Sequence, residues 1–156
     1  MKYGTIGAFK NVQNVPYCKA SEDMAVGMGV IIDRVNNTVA LPDDATECKS
    51  VVYIVSNIND KPEQHNSAET FVVKSGDFVR CDDLRTLNGM EIEFAASEIN
   101  GGATTITSLA ANDTLVFYTD GLVKKETTLT GYAVYFKVIE KTAYMGNGIR
   151  AEIVVQ

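Results

Sequence analysis

The chain has 156 residues, 46% of them hydrophobic, with 20 Asp and Glu against 14 Lys and Arg for a net charge of −6. A chain of this length buries roughly 68–70% of its unfolded surface as one domain, so it needs no disulfide or metal staple. The acidic balance repels phosphate backbones and excludes DNA or RNA as the expected partner, and no apolar run approaches the roughly 20 residues of a helical membrane span, so no membrane is expected either.

Residues Met1–Ala20 scatter Tyr3, Ile6, Phe9, Val12, Val15 and Tyr17 among glycine and asparagine, with no period of 2 or 3.6. They contain no continuous apolar stretch, so no signal peptide is expected. Two readings stay open for this N-terminal arm: a first strand and loop tucked on the domain, or an arm that docks on a partner. Residues 21–156 read as a single β-rich domain.

The stretch Ser21–Leu41 has an acidic start, a corner at Gly27 and Gly29, an apolar run Val30–Ile32, a turn at Asn36-Asn37 and a second run Val39–Leu41. Asparagine tolerates positive φ, so the turn predicts a tight hairpin, which Pro42 ends. Asp43–Ser50 is polar and predicts one short helical turn. Val51–Val55 is short, apolar and β-branched, as in a central strand covered on both faces. Asn57–Glu69, with Pro62 and the lone His65, predicts an exposed loop.

Phe71–Val73 and Phe78–Cys81 follow around Gly76. Asn88-Gly89 is a hairpin signal, and behind it Met90, Ile92 and Phe94 alternate with Glu91 and Glu93. Asn100-Gly101-Gly102 predicts a further turn. Leu115–Tyr118, Asp120-Gly121 and Leu122–Val123 form a strand, a turn and a strand. Tyr132–Ile139 is the longest apolar run, and its aromatic and β-branched content favours strand. Asn147-Gly148 turns the chain into Ile149, Ala151, Ile153 and Val155, which alternate with Arg150 and Glu152.

The fold class is therefore all-β, or mostly β with one short helix: a small antiparallel barrel or sandwich built from hairpins. Asn88-Gly89, Asp120-Gly121 and Asn147-Gly148 are expected to be tight reversals. Val30, Ile32, Val52, Ile54, Ile92, Phe94, Val116, Val134, Phe136, Ile149, Ile153 and Val155 are expected in the core.

Few residues carry visible chemistry. His65 stands alone in a polar segment. Cys18, Cys48 and Cys81 are odd in number, lack a C-x-x-C spacing and read as free thiols of a reduced compartment. Asp43-Asp44 and Asp82-Asp83 are paired acids, but no twelve-residue calcium loop surrounds them, so they read as turn residues. Ser75-Gly76-Asp77-Phe78-Val79 resembles a strand of self-cleaving repressor and signal-peptidase barrels. Those enzymes need a serine beside a methionine and a lysine base, and Ser21-Glu22-Asp23-Met24 does not supply them. No catalytic residue, cofactor or metal is expected.

Three segments share one plan of a corner followed by a hairpin: AVGMGVIIDRVNNTVAL, VKSGDFVRCDDLRTLNGMEI and AANDTLVFYTDGLVK. In EDMAVGMGVIIDRVNNTVALP, VVYIVSN, VKSGDFVRC and TGYAVYFKVIEKTAYMGNGIRAEIVV, the chain after Ser21 resembles the auxiliary head proteins of tailed bacteriophages, also called decoration or cement proteins. The resemblance implies a non-catalytic virion protein, made in the host cytoplasm, that binds the outside of an assembled capsid. Its implied partner is the major capsid protein, and a homo-oligomer is a second implied association. Tyr3, Phe9, Val12 and Tyr17 are the expected capsid contacts. The alternatives are a receptor- or glycan-binding module of a fibre, whose sign would be exposed Tyr118, Tyr132, Tyr135 and Tyr144, and a small β-barrel hydrolase.

Overall fold

Alternating and β-branched runs fold as strands throughout, and the chain is all-β in class. The computed structural model describes residues 2–3, 14–57 and 71–156. In chain order the strands are Lys2–Tyr3 (β1), Asn14–Ala20 (β2), Met24–Ala25 (β3), Gly29–Asp33 (β4), Thr38–Ala40 (β5), Tyr53–Val55 (β6), Val72–Val73 (β7), Phe78–Asp83 (β8), Glu91–Ala95 (β9), Thr114–Phe117 (β10), Val123–Lys125 (β11), Val134–Thr142 (β12) and Gly148–Val155 (β13). Among the described residues, two short α-helices, Ala45–Ser50 (α1) and Gly102–Ser108 (α2), join them.

Most of the strands form two bodies. β2-β5-β4-β6-β8 close into a barrel in which only the β2–β5 pair is parallel. β1-β9-β13-β12-β10-β11 form a six-stranded sheet, with β12 and β13 paired along most of their length as its spine. β3 and β7 make a small separate ladder.

Two apolar cores explain the patterning. Tyr53 and Val55 of β6 face the barrel core, while Ile54 between them faces the core under the sheet. β4 divides the same way: Val30 and Ile32 belong to the barrel side and Ile31 to the sheet side. Strands with a core on each face read as unbroken apolar runs, as Val51–Val55 does. Under the sheet, Phe136 meets Phe94 and Phe117 edge to face, with centroids 4.9 and 5.2 Å away. Of the expected core residues, Ile32, Val52 and Val155 are half-buried and the other nine are buried.

The Asn36-Asn37 hairpin joins β4 to β5, with Asn37 at φ 55°. Asp33 closes it by accepting from the Val35 and Asn36 amides and the Asn36 side chain, at 2.8, 3.1 and 2.6 Å. Asp120-Gly121 reverses β10 into β11 as expected. Asn88-Gly89 does not make a hairpin. It links a 3-10 turn, Leu84–Leu87, to β9, so it carries the chain from the barrel to the sheet. Leu84 and Leu87 are fully buried, and their burial draws the chain beneath the sheet before it can fold back on β8.

Between β12 and β13 the reversal is made at Tyr144–Gly146, where Met145 and Gly146 have φ of 48° and 85°. Gly148 is already a strand residue, and a side chain there would meet the Phe94 carbonyl oxygen at 2.8 Å. Asn100-Gly101-Gly102 opens α2, with Gly101 at φ 83°. Only Ile106 of α2 is buried, so the helix shows no apolar stripe.

Of the segment 1–20, Lys2–Tyr3 pairs its backbone with β9 and residues 14–20 are β2 of the barrel, with Val15, Cys18 and Ala20 buried. His65, Phe9 and Val12 lie outside the described residues.

Candidate functional site

The most distinctive surface is the outer face of the barrel around β2. Tyr17 and Lys19 flank buried Cys18, and both side chains leave the outer face. Phe78 of β8 sits opposite Lys19 in register, and the Lys19 ammonium lies 5.5 Å from its ring centroid. Large apolar side chains are exposed here: Tyr17 is 49% accessible and Phe78 61%.

Arg34, just past β4, borders this face. It donates to the Tyr17 hydroxyl at 3.1 Å and to the Tyr53 hydroxyl at 2.9 Å. The Tyr53 ring belongs to the barrel core, so its hydroxyl couples the core to this rim. Arg85 also donates to the Tyr53 hydroxyl, at 3.2 Å, and grips Asp83 through two bonds of 3.0 and 2.7 Å. The bond to Tyr53 raises Arg34 above the ordinary arginine value, so its charge is permanent. No sequence signal links these residues, which lie on different strands and turns. Among the expected contacts, Tyr17 belongs to this surface; of Tyr3 only the backbone is described.

Elsewhere, candidate groups serve the fold. Asp44 caps α1 by accepting from the Thr46 and Glu47 amides, and Glu47 accepts from the Asp43 amide in return. Asp83 caps the 3-10 turn as well as holding Arg85. The Ser75 hydroxyl donates to the Ser21 carbonyl, while Asp23 accepts from the Ser75 amide and from Lys74. These bonds tie the Gly76 turn to the start of the Ser21–Leu41 stretch.

The three cysteines are free and buried. Burial pushes the Cys81 thiol up to about 12 and raises Cys18 and Cys48. Among the described residues, no three of His, Cys, Asp and Glu converge as a metal-binding set. The four tyrosines whose exposure would mark a fibre module are not an exposed group. Tyr118 is exposed beneath Lys124, Tyr135 and Tyr144 are half-buried, and Tyr132 is buried against Cys48 and Val116.

A cavity of about 150 Å³ opens where the barrel meets the sheet, between Val26, Met28, Leu122 and Met145, with Glu98 on one wall. Glu98 accepts from the Ala95 amide at 2.7 Å. Its carboxyl also lies against Gly27, where an added Cβ would come within 2.4 Å of Oε1. This carboxylate thus caps the end of β9 and packs against the Gly27 corner. The sequence matches no protein-family model and no curated protein.

Proposed function

We propose that this chain is a non-catalytic virion structural protein that binds the outer surface of an assembled phage capsid and stabilises the shell. One observation carries this reading: the segments that resemble auxiliary head proteins are the segments that frame the molecule. Ser21–Leu41 supplies β3, β4 and β5, VVYIVSN contains β6, VKSGDFVRC leads into β8, and the C-terminal segment is the β12–β13 pair. The resemblance therefore follows whole structural units.

The partner is the major capsid protein in its assembled form. A protein that binds the closed shell and not its free subunits stabilises the shell by mass action, by about 2.7 kcal/mol per site when present at 100 times its Kd. Repeated over many sites, a modest contact suffices. The net charge of −6 keeps such a protein off the packaged nucleic acid.

Co-sedimentation with expanded, DNA-free capsids tests this function, read together with the temperature at which the shells rupture. The expected result is saturable attachment and a higher rupture temperature. No attachment to shells, together with binding on a glycan array, would replace this reading with a fibre module.

A further inference from the structure

We infer that the outer barrel face formed by Tyr17, Lys19 and Phe78, with Arg34 at its rim, docks an acidic segment of the capsid subunit. One carboxylate would sit on Arg34 and an apolar side chain on Tyr17 and Phe78. This rests on the reading of the chain as a capsid-binding protein and names the chemistry of its contact.

The chain has four arginines, and three are matched to carboxylates. Arg80 lies 3.7 Å from Asp82, Arg85 2.7 Å from Asp83, and Arg150 2.8 Å from Glu140. Arg34 differs: its two hydrogen bonds go to the neutral hydroxyls of Tyr17 and Tyr53, and among the described residues no carboxylate lies within ion-pair distance of it. The adjacent Asp33 carboxylate is used by the hairpin turn. A guanidinium has five donors in a fixed fork, so two are spent on orientation and others are left for an incoming acceptor. Tyr53, anchored in the barrel core, limits the freedom that Arg34 would lose on binding.

The apolar half of the site is equally exposed. Tyr17, Phe78 and the 90% accessible Val35, next to Arg34 at the hairpin tip, account for three of the four large exposed hydrophobics among the described residues. Aromatic rings beside an arginine are the composition of interface hot spots. Local positive charge on an acidic molecule selects a negative partner segment at short range, while the overall field repels a long polyanion such as DNA.

The test combines shells with a soluble probe. Arg34→Glu and Phe78→Ser are compared with Lys137→Glu, an exposed charge reversal on β12, after circular dichroism shows that each variant is folded. Co-sedimentation with expanded capsids should weaken about ten-fold for Arg34→Glu and for Phe78→Ser, and stay within about two-fold for Lys137→Glu. In parallel, the capped peptide Glu-Glu-Phe-Glu-Glu is titrated into labelled protein and followed by amide NMR. Shifts should centre on residues 17–19, 34–35 and 78 and vanish in Arg34→Glu.

Wild-type attachment that ignores both substitutions would overturn the docking face and leave the capsid reading standing. Wild-type failure to bind shells would remove the capsid reading, and the peptide titration would then decide whether this face takes an acidic segment. Tighter binding of oligo-dT than of the peptide, or self-association that Arg34→Glu abolishes, would assign the face to nucleic acid or to a second copy and overturn the inference.

Discussion

At Gly29 the barrel lies directly against the sheet, and Gly29→Ala tests that junction. The Gly29 amide donates to the Gly121 carbonyl at 2.7 Å. A Cβ at Gly29 would fall 2.3, 2.4 and 2.8 Å from Cγ, Cδ1 and Cδ2 of Phe117. Carbon atoms prefer about 3.5–4.0 Å, so the ring must retreat by about 1 Å. It has little room to do so, because Phe117 is fully buried and stands edge to face against Phe136. Gly29 does not have positive φ, so the cost is steric alone. Overpacking of a dense core costs about 1–3 kcal/mol, and the rigid aromatic neighbour argues for the upper end. With a guanidinium m-value of about 4 kcal/mol/M, the unfolding midpoint should fall by about 0.7 M. Phe117→Leu removes the ring edge, so in that background Gly29→Ala should cost about 1 kcal/mol or less, a coupling of about 2 kcal/mol. Equal midpoint losses in the two backgrounds would refute the clash. Gly76→Ala is a useful contrast: nothing lies within 4 Å of its added Cβ, and its φ of +87° leaves only backbone strain, about 1–2 kcal/mol.

Phe136→Ala removes a buried ring and both of its edge-to-face contacts, so it should cost about 3–5 kcal/mol; an unchanged denaturation midpoint would show that Phe136 is not in the core. Asp113 and Asp23 are held below the ordinary carboxylate range, first by the hydrogen bonds from Lys125 and Lys74. A depressed folded value means that the unfolded chain takes up protons first as pH falls. The stability from these pairs is thus present above the ordinary aspartate value of about 3.9 and is lost as pH drops through the lowered values. Denaturation midpoints measured from neutral pH downward should show this loss, and Asp113→Asn should make it shallower; an identical pH profile would remove Asp113 from the account. Cys81, with its thiol at about 12, and buried Cys18 and Cys48 should resist a thiol reagent at pH 8 until denaturant is added. Rapid labelling of these cysteines in the native protein would contradict their burial.

The sequence by itself determined the local geometry. Strand periodicity, the positive φ that Asn36-Asn37 and Asp120-Gly121 accept, and the break at Pro42 depend on neighbours a few residues apart. The unbroken run Val51–Val55 even announced a strand covered on both faces. Tertiary structure alone decided which sheet each strand joined. Asn88-Gly89 has hairpin chemistry, yet burial of Leu84 and Leu87 beneath the sheet makes it a link between two bodies. Gly148 is a glycine because the Phe94 carbonyl approaches it, not because the chain turns there. α2 lacks a stripe because only Ile106 faces a core. The Arg34 rim was hidden for the same reason: Tyr17, Arg34, Tyr53 and Arg85 meet only because barrel closure brings β2, β4, β6 and the end of β8 together. Turn chemistry and side-chain alternation are fixed by adjacent residues, whereas sheet membership and site assembly depend on burial shared between residues distant in the chain.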